Sequence, residues 1–263
     1  MKKQKIKKEM EKKNKAQLTI FIIVALVIVV GIALIFLLKK GPTVHPTTVV
    51  DEENPQGYIE GCTKSSVEEA VNIIVSQGGD LKQEGSIMYQ GKNVTYLCYN
   101  ANFYYPCINQ RPMLIKHIQE GITTYVNPKI NSCFSSLKAK LEGKGYSVEM
   151  GNIAPVVELQ PNLVVVNMNT NFKMSNGETT KSFDNFKVAV ANPIYDFAWI
   201  GSEIASQEAK YCYFNTDGFN SNYPGFEVRK DMIGDSKIYS ITKTDSDQKF
   251  ILAIRGCVMP RGF

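Results

Sequence analysis

Near its N-terminus the chain carries an uncharged run from Leu18 to Leu38, 21 residues dominated by Ile, Val, Leu and Phe. At 1.5 Å per residue a helix of that length crosses a hydrocarbon core of about 30 Å. A buried core helix would carry a polar stripe, and this run has none. It predicts a transmembrane helix over 18–38, preceded by a tail over 1–17. Residues 39–57 hold three prolines and three threonines without apolar period and predict an extended linker.

Beyond the linker the pattern takes two forms. Helical spacing dominates about 58–142 and alternation dominates about 143–263. Ser65 and Glu68 form a capping box ahead of Val67, Ala70, Val71, Ile74 and Val75, and Gly78-Gly79 stops that helix. A hairpin is expected from Ile87 to Tyr99 about Gly91-Lys92-Asn93. Leu114, His117, Ile118, Ile122 and Tyr125 share one helical face, on which a packed, hydrogen-bonded histidine is expected. Asn127-Pro128 then reads as an N-cap with proline at the first helical position, so a new helix is expected there, burying Ile130, Cys133, Phe134, Leu137 and Leu141.

From Tyr146 the period changes to two. Val164, Val166, Met168, Thr170, Phe172 and Met174 alternate with Asn167, Asn169, Asn171 and Lys173, as in a half-solvated antiparallel strand. Asn176-Gly177 signals a type I′ turn into a partner strand over about 181–190. A helix over 194–211 follows, with Phe197, Ala198, Gly201, Ile204, Ala205 and Tyr211 inward. Trp199 falls off that stripe, either packed on a neighbour or marking a partly exposed contact site. Strands near 226–231, 237–243 and 248–257 close the chain. The expected fold is α+β: a transmembrane helix, then an ectodomain over 58–263 of helices packed on an antiparallel sheet, stapled by disulfides.

Charge sharpens this picture. The formal net charge is +5, yet residues 1–40 carry ten lysines and two glutamates, a net +8, and the remaining 223 residues sum to −3. Lys2, Lys3, Lys5, Lys7, Lys8, Lys12, Lys13 and Lys15 precede the span and Lys39 and Lys40 follow it. By the positive-inside bias the N-terminus is cytoplasmic and the C-terminal domain extracytoplasmic. A basic tail beside an acidic folded part argues against a nucleic-acid partner.

Lys15-Ala16-Gln17-Leu18-Thr19 before the apolar run resembles the class III signal of archaeal type IV pilin-like precursors. The resemblance implies cleavage between Ala16 and Gln17 that leaves the apolar helix on the mature chain. Cys62 leading into a helix that ends Gln77-Gly78-Gly79, then Cys133 and Arg255-Gly256, resembles uncharacterised single-pass surface proteins of small-genome archaea, which implies a location and an architecture.

All six cysteines lie after the span. An even set in an oxidising compartment predicts three disulfides, with 15 connectivities open. The preferred set is Cys98–Cys107 as a local staple, Cys62–Cys133 between helices, and Cys212–Cys257 between the late helix and the last strand. No Cys-x-x-Cys pair supports zinc, and His45 and His117 are poorly placed for it. Gly-x-Ser-x-Gly and phosphate-binding glycine loops are absent from the sequence. A cysteine nucleophile with His117 would break the even set.

Asn215–Asn222 is rich in oxygen, but an EF-hand register puts Tyr213 and Pro224 at its end positions, so a polar loop is expected. Asn93-Val94-Thr95 is a glycosylation sequon. Tyr99, Phe103, Tyr104 and Tyr105, framed by Cys98 and Cys107, form a candidate contact loop, with a loop lying over the core as the alternative. The sequence points to no cofactor. The expected role is non-enzymatic at the cell membrane: binding, adhesion or envelope assembly, with envelope proteins or surface glycans as partners. An ectoenzyme, a hydrolase with a dispersed site, is the second reading.

Overall fold

The computed structural model describes residues 54–260 apart from Glu178, together with Leu26, Ile28 and Val29, which are helical. The tail over 1–17 with Ala16 and Gln17, nearly all of the apolar run and the linker as far as residue 53 lie outside the described residues. Among the described residues no helix is long and apolar enough to cross a membrane. The chain divides into two units, Met1–Val49 and Val50–Phe263, and the second holds the folded body.

Helix α1 spans Pro55–Ser76, so it claims the last three residues expected of the linker. Asn54 caps it, its Oδ1 accepting from Gly57 N at 3.2 Å, and Pro55 fills the first helical position. Ser65 and Glu68 therefore lie inside the helix rather than at its start. The same Asn-Pro pair at 127–128 does not start a helix: α2 runs unbroken over Leu114–Gly143 with Pro128 inside. The buried stripe Ile118, Ile122, Val126, Ile130, Phe134, Leu137 and Leu141 passes that point without a phase break. Asn127, Pro128 and Thr124 are all exposed, so water can reach the Thr124 carbonyl that loses its helical donor.

Between α1 and α2 come β1 (Ser86–Tyr89), β2 (Lys92–Tyr99) and the short β3 (Ile108–Asn109). After α2 come β4 (Ser147–Met150), β5 (Ala154–Gln160), β6 (Leu163–Asn176) and β7 (Thr179–Ala191). Helix α3 (Ile194–Tyr211) and the short α4 (Thr216–Asn222) lead to β8 (Phe226–Ile233), β9 (Ser236–Lys243) and β10 (Lys249–Arg255).

Two sheets form among the described residues. The first has the order β1-β2-β10-β9-β8, with β3 on β2. In it β10 runs parallel to β2, which corrects the wholly antiparallel expectation. The second is built on the long β6, which pairs β7 along its length and β5 and β4 in succession. Asn176 pairs with Thr179, so the tight turn falls one residue later than expected, with Gly177 at φ +61°.

The helices fill the space between the sheets. α1 packs on α2, β7 and β10, while α3 touches strands of both sheets. Phe134 of α2 meets Phe186 edge-on at 5.0 Å and Phe172 at 6.2 Å, and Phe197 of α3 stacks on Phe250 at 6.2 Å. One apolar cluster spans both sheets and all three long helices, so the helical and sheet-rich stretches share a core. Three disulfides lace it: Cys62–Cys133 joins α1 to α2, Cys98–Cys107 closes the loop after β2, and Cys212–Cys257 ties the end of α3 to the segment after β10. Each contributes about 2–4 kcal/mol.

Candidate functional site

The loop between Cys98 and Cys107 is held on two sides. Its disulfide closes nine residues of separation at a Cα–Cα distance of 5.3 Å. Its backbone also pairs with the strap 255–258: Asn100 N donates to Arg255 O (2.8 Å), Tyr104 N to Val258 O (2.8 Å), and Cys257 N to Tyr105 O (2.6 Å). Asn100 braces the interior, its Nδ2 donating to Pro106 O and its Oδ1 accepting from Asn102 N. The strap is in turn fixed by Cys212–Cys257.

Only glycine fits at 256, because a Cβ there would stand 2.7 Å from Cys107 N. Arg255 donates to the Asn100 carbonyl and pairs with Asp235 (2.8 Å), while its guanidinium lies 5.7 Å from the ring centres of both Tyr99 and Phe103. Tyr104 and Tyr105 are 61% and 62% exposed, and Tyr99 and Phe103 are also exposed. The rings therefore face solvent rather than lying over the core. Tyr104 is held at φ +66°, a conformation costly for a side chain of its size. Asn93, at the start of β2, is exposed as well.

A second constellation was missed by sequence reasoning. Gly78 (φ +77°) and Gly79 (φ +102°) turn the chain hard after α1, tucking it against Thr95, Ile251 and Leu114. The turn buries the next side chain, Asp80, to 2% exposure. Arg111 meets this carboxylate with a two-pronged contact, Nε to Oδ1 at 3.2 Å and Nη2 to Oδ2 at 3.0 Å. His117 Nε2 lies 2.5 Å from Oδ1. Burial would raise the Asp80 pKa, but the bonds from His117 and Arg111 outweigh it and hold the carboxyl below its ordinary value.

His117 is thus half-exposed at the rim of the α2 stripe, not packed within it. It lines a depression of about 370 Å³ with Lys82, Glu84, Glu120 and Thr124. The one hydroxyl in that lining, Thr124 Oγ1, donates to Glu120 O at 2.9 Å. Among the described residues no group of three or more His, Cys, Asp or Glu could hold a metal ion.

A third feature is a groove of about 410 Å³ between α3 and α4. The stretch expected as a polar loop forms α4, capped by Asn215 Oδ1 accepting from Gly218 N at 3.0 Å. Trp199, off the buried stripe, is 40% exposed and forms a wall of the groove. Tyr223 packs edge-on to it at 5.6 Å and stacks on Phe219 at 4.6 Å. Tyr211, expected inward, is exposed at the last turn of α3. The inward place one turn earlier belongs to Glu208, 1% exposed, which accepts from Tyr239 Oη and from Lys237 Nζ (2.5 Å).

No known family model, curated protein or solved structure matches the chain.

Proposed function

We propose that this is a membrane-anchored cell-surface protein whose folded body is a non-enzymatic recognition module, serving binding, adhesion or envelope assembly. The observation that carries the reading is the loop 98–107: four aromatic rings presented to solvent on a backbone already immobilised by a disulfide and three bonds to the strap. Rigid aromatic surfaces bind at low entropic cost, and Tyr and Arg are enriched where proteins meet. The uncharged run after a lysine-rich tail supports anchoring with the body outside, and six cysteines in three bonds suit an oxidising compartment. The partner class proposed for the loop is an envelope protein. At the N-terminus the proposal is class III processing between Ala16 and Gln17; an intact mass beginning at Gln17 supports it, and one beginning at Met1 or Lys2 rejects it.

The Asp80–His117 pair is the feature that favours an ectoenzyme instead. Against that reading, the Asp80 carboxylate is shared with a two-pronged arginine, and the one hydroxyl lining the depression is already bonded to the Glu120 carbonyl. Replacing Tyr104 and Tyr105 together by serine in the full-length chain tests the leading reading. Far-UV dichroism and Tm stay within the range of surface changes, about 0.5 kcal/mol, while crosslinked adducts to envelope proteins disappear. Adducts that persist unchanged refute the loop as the contact.

A further inference from the structure

We propose that the groove between α3 and α4 is a binding site for a neutral saccharide. Its shape is that of a ligand site: concave, about 410 Å³, with an aromatic corner and a few polar groups. The corner is built, not incidental. Phe219, 8% exposed, stacks under Tyr223 with an interplanar angle of 23°, and Trp199 stands against Tyr223 at 64°. Two fixed aromatic faces meeting at an angle offer the flat, apolar C–H face of a sugar ring somewhere to pack.

The polar groups decide the ligand class. Glu203 gives Oε1 to Gln207 Nε2 at 2.7 Å, and its Oε2 has no partner among the described residues. Gln207 Oε1 is left as an acceptor by the same bond. Asn215 spends its Oδ1 on the α4 cap and keeps its amide donors, whereas Asn222 spends an amide proton on Gly218 O and keeps Oδ1. Trp199 Nε1 adds a donor and Tyr223 Oη can serve either way.

The set therefore mixes donors with acceptors around one carboxylate, and neither Lys nor Arg lines the groove. Hydroxyl groups, which both donate and accept, match that set. A phosphate or carboxylate ligand would meet the Glu203 charge with no cation to offset it. An apolar peptide segment would leave several of these polar groups desolvated and unpaired.

This site needs neither the loop 98–107 nor its partner, so the two readings fail separately. Trp199 is the single tryptophan of the chain, so its emission reports on this groove alone. The full-length chain is titrated with neutral gluco-, manno- and galacto-trisaccharides, with a uronic-acid trisaccharide and with inorganic pyrophosphate. At least one neutral sugar is expected to shift the emission saturably, and the two anions are not. By calorimetry Tyr223→Ala weakens that sugar tenfold or more. Glu203→Gln, which keeps the shape, weakens it several-fold, and Tyr104→Ser with Tyr105→Ser leaves it unchanged. Three results overturn the proposal: no saturable shift with any neutral sugar, equal binding of an anionic probe, or unaltered affinity in both groove variants.

Discussion

Asp80→Asn is the substitution whose consequences follow most directly from the structure. The carboxylate sits 2% exposed and accepts three hydrogen bonds, two from Arg111 and one from His117. Asparagine keeps the shape but only one acceptor oxygen. Placed at the Oδ1 position it keeps the Arg111 Nε and His117 contacts without the negative charge, while its amide is set against Arg111 Nη2 and that bond fails. Breaking a buried ion pair by removing one partner costs about 3–5 kcal/mol. Arg111 and His117 are themselves 22% and 40% exposed, so both recover part of that loss by turning to water. The expected cost is about 2–4 kcal/mol, from one charge-assisted bond lost outright and two weakened to bonds with a neutral acceptor, after rehydration. For a body of this size that lowers Tm by about 4–16 °C.

The pH dependence gives a sharper check than the magnitude. The Asp80 carboxyl titrates below its ordinary value in the folded chain because the His117 and Arg111 bonds outweigh burial. Its folded pKa lies below its unfolded one, so its stabilising effect is fully present above about pH 4 and is lost as pH falls through the folded value. Urea unfolding of the parent and Asp80→Asn chains, repeated from neutral pH downwards, is expected to show a gap that is constant near neutrality and closes below about pH 4. A cycle with Arg111→Met should give a coupling of at least about 1 kcal/mol, as residues of one network do. A gap under about 1 kcal/mol at neutral pH, or one that survives undiminished in acid, would show that Asp80 does not clamp this turn.

Two further outcomes test the strap and the other buried acid. Gly256→Ala forces a Cβ to within 2.7 Å of the Cys107 backbone nitrogen; it should cost about 1–3 kcal/mol and weaken the loop's partner binding together, whereas a variant of parent Tm and binding refutes the strap as the loop's support. Tyr239→Phe removes the hydroxyl that satisfies Glu208, at a cost of about 1–3 kcal/mol near neutrality. Burial and the Glu208 bond push the Tyr239 pKa far up, so its stabilising effect is present below about pH 10 and declines as pH rises beyond that. Tyr239→Phe is therefore expected to show a shallower alkaline decline than the parent, and an identical slope in urea unfolding contradicts the assignment.

What the sequence made legible depended on the range of the interaction. The bounds of α3 and the alternation of β6 follow from contacts within one element, and period alone carries them. The Asn-Pro pairs at 54–55 and 127–128 show where local rules stop. Both are good helix starts, and only the apolar stripe running through the second one decides otherwise. Pairing β10 beside β2 in parallel joins segments more than 150 residues apart, and alternation names a strand without naming its neighbour. The groove was foreshadowed only by Trp199 falling off its stripe, because Phe219 of α4 and Tyr223 just after it complete the corner, and seven helical residues are too few for a visible period.

The two buried acids explain why the constellations around them were hidden. Asp80 follows a helix that ends in two left-handed glycines, and Glu208 occupies an apolar position in the last turn of α3. Each looks like an interruption of the pattern, and each is a fastening. Asp80 binds the turn after α1 to Arg111 and to His117 on α2. Glu208 recruits Lys237 of β9, whose ammonium also donates to the Cys212 carbonyl at 2.7 Å, where α3 ends. A helix end leaves carbonyls without intrahelical donors, and a buried end must find them elsewhere. At Cys212 that donor is a lysine held in place by the glutamate one turn back, and the same cysteine anchors the strap that supports loop 98–107. The charge that breaks the apolar stripe of α3 thus bears on the rigidity of the aromatic loop. Loosening Glu208 should therefore be felt at Tyr104 and Tyr105 as well as in the groove, whose Phe214 packs edge-on at 5.9 Å against the Tyr239 that Glu208 holds.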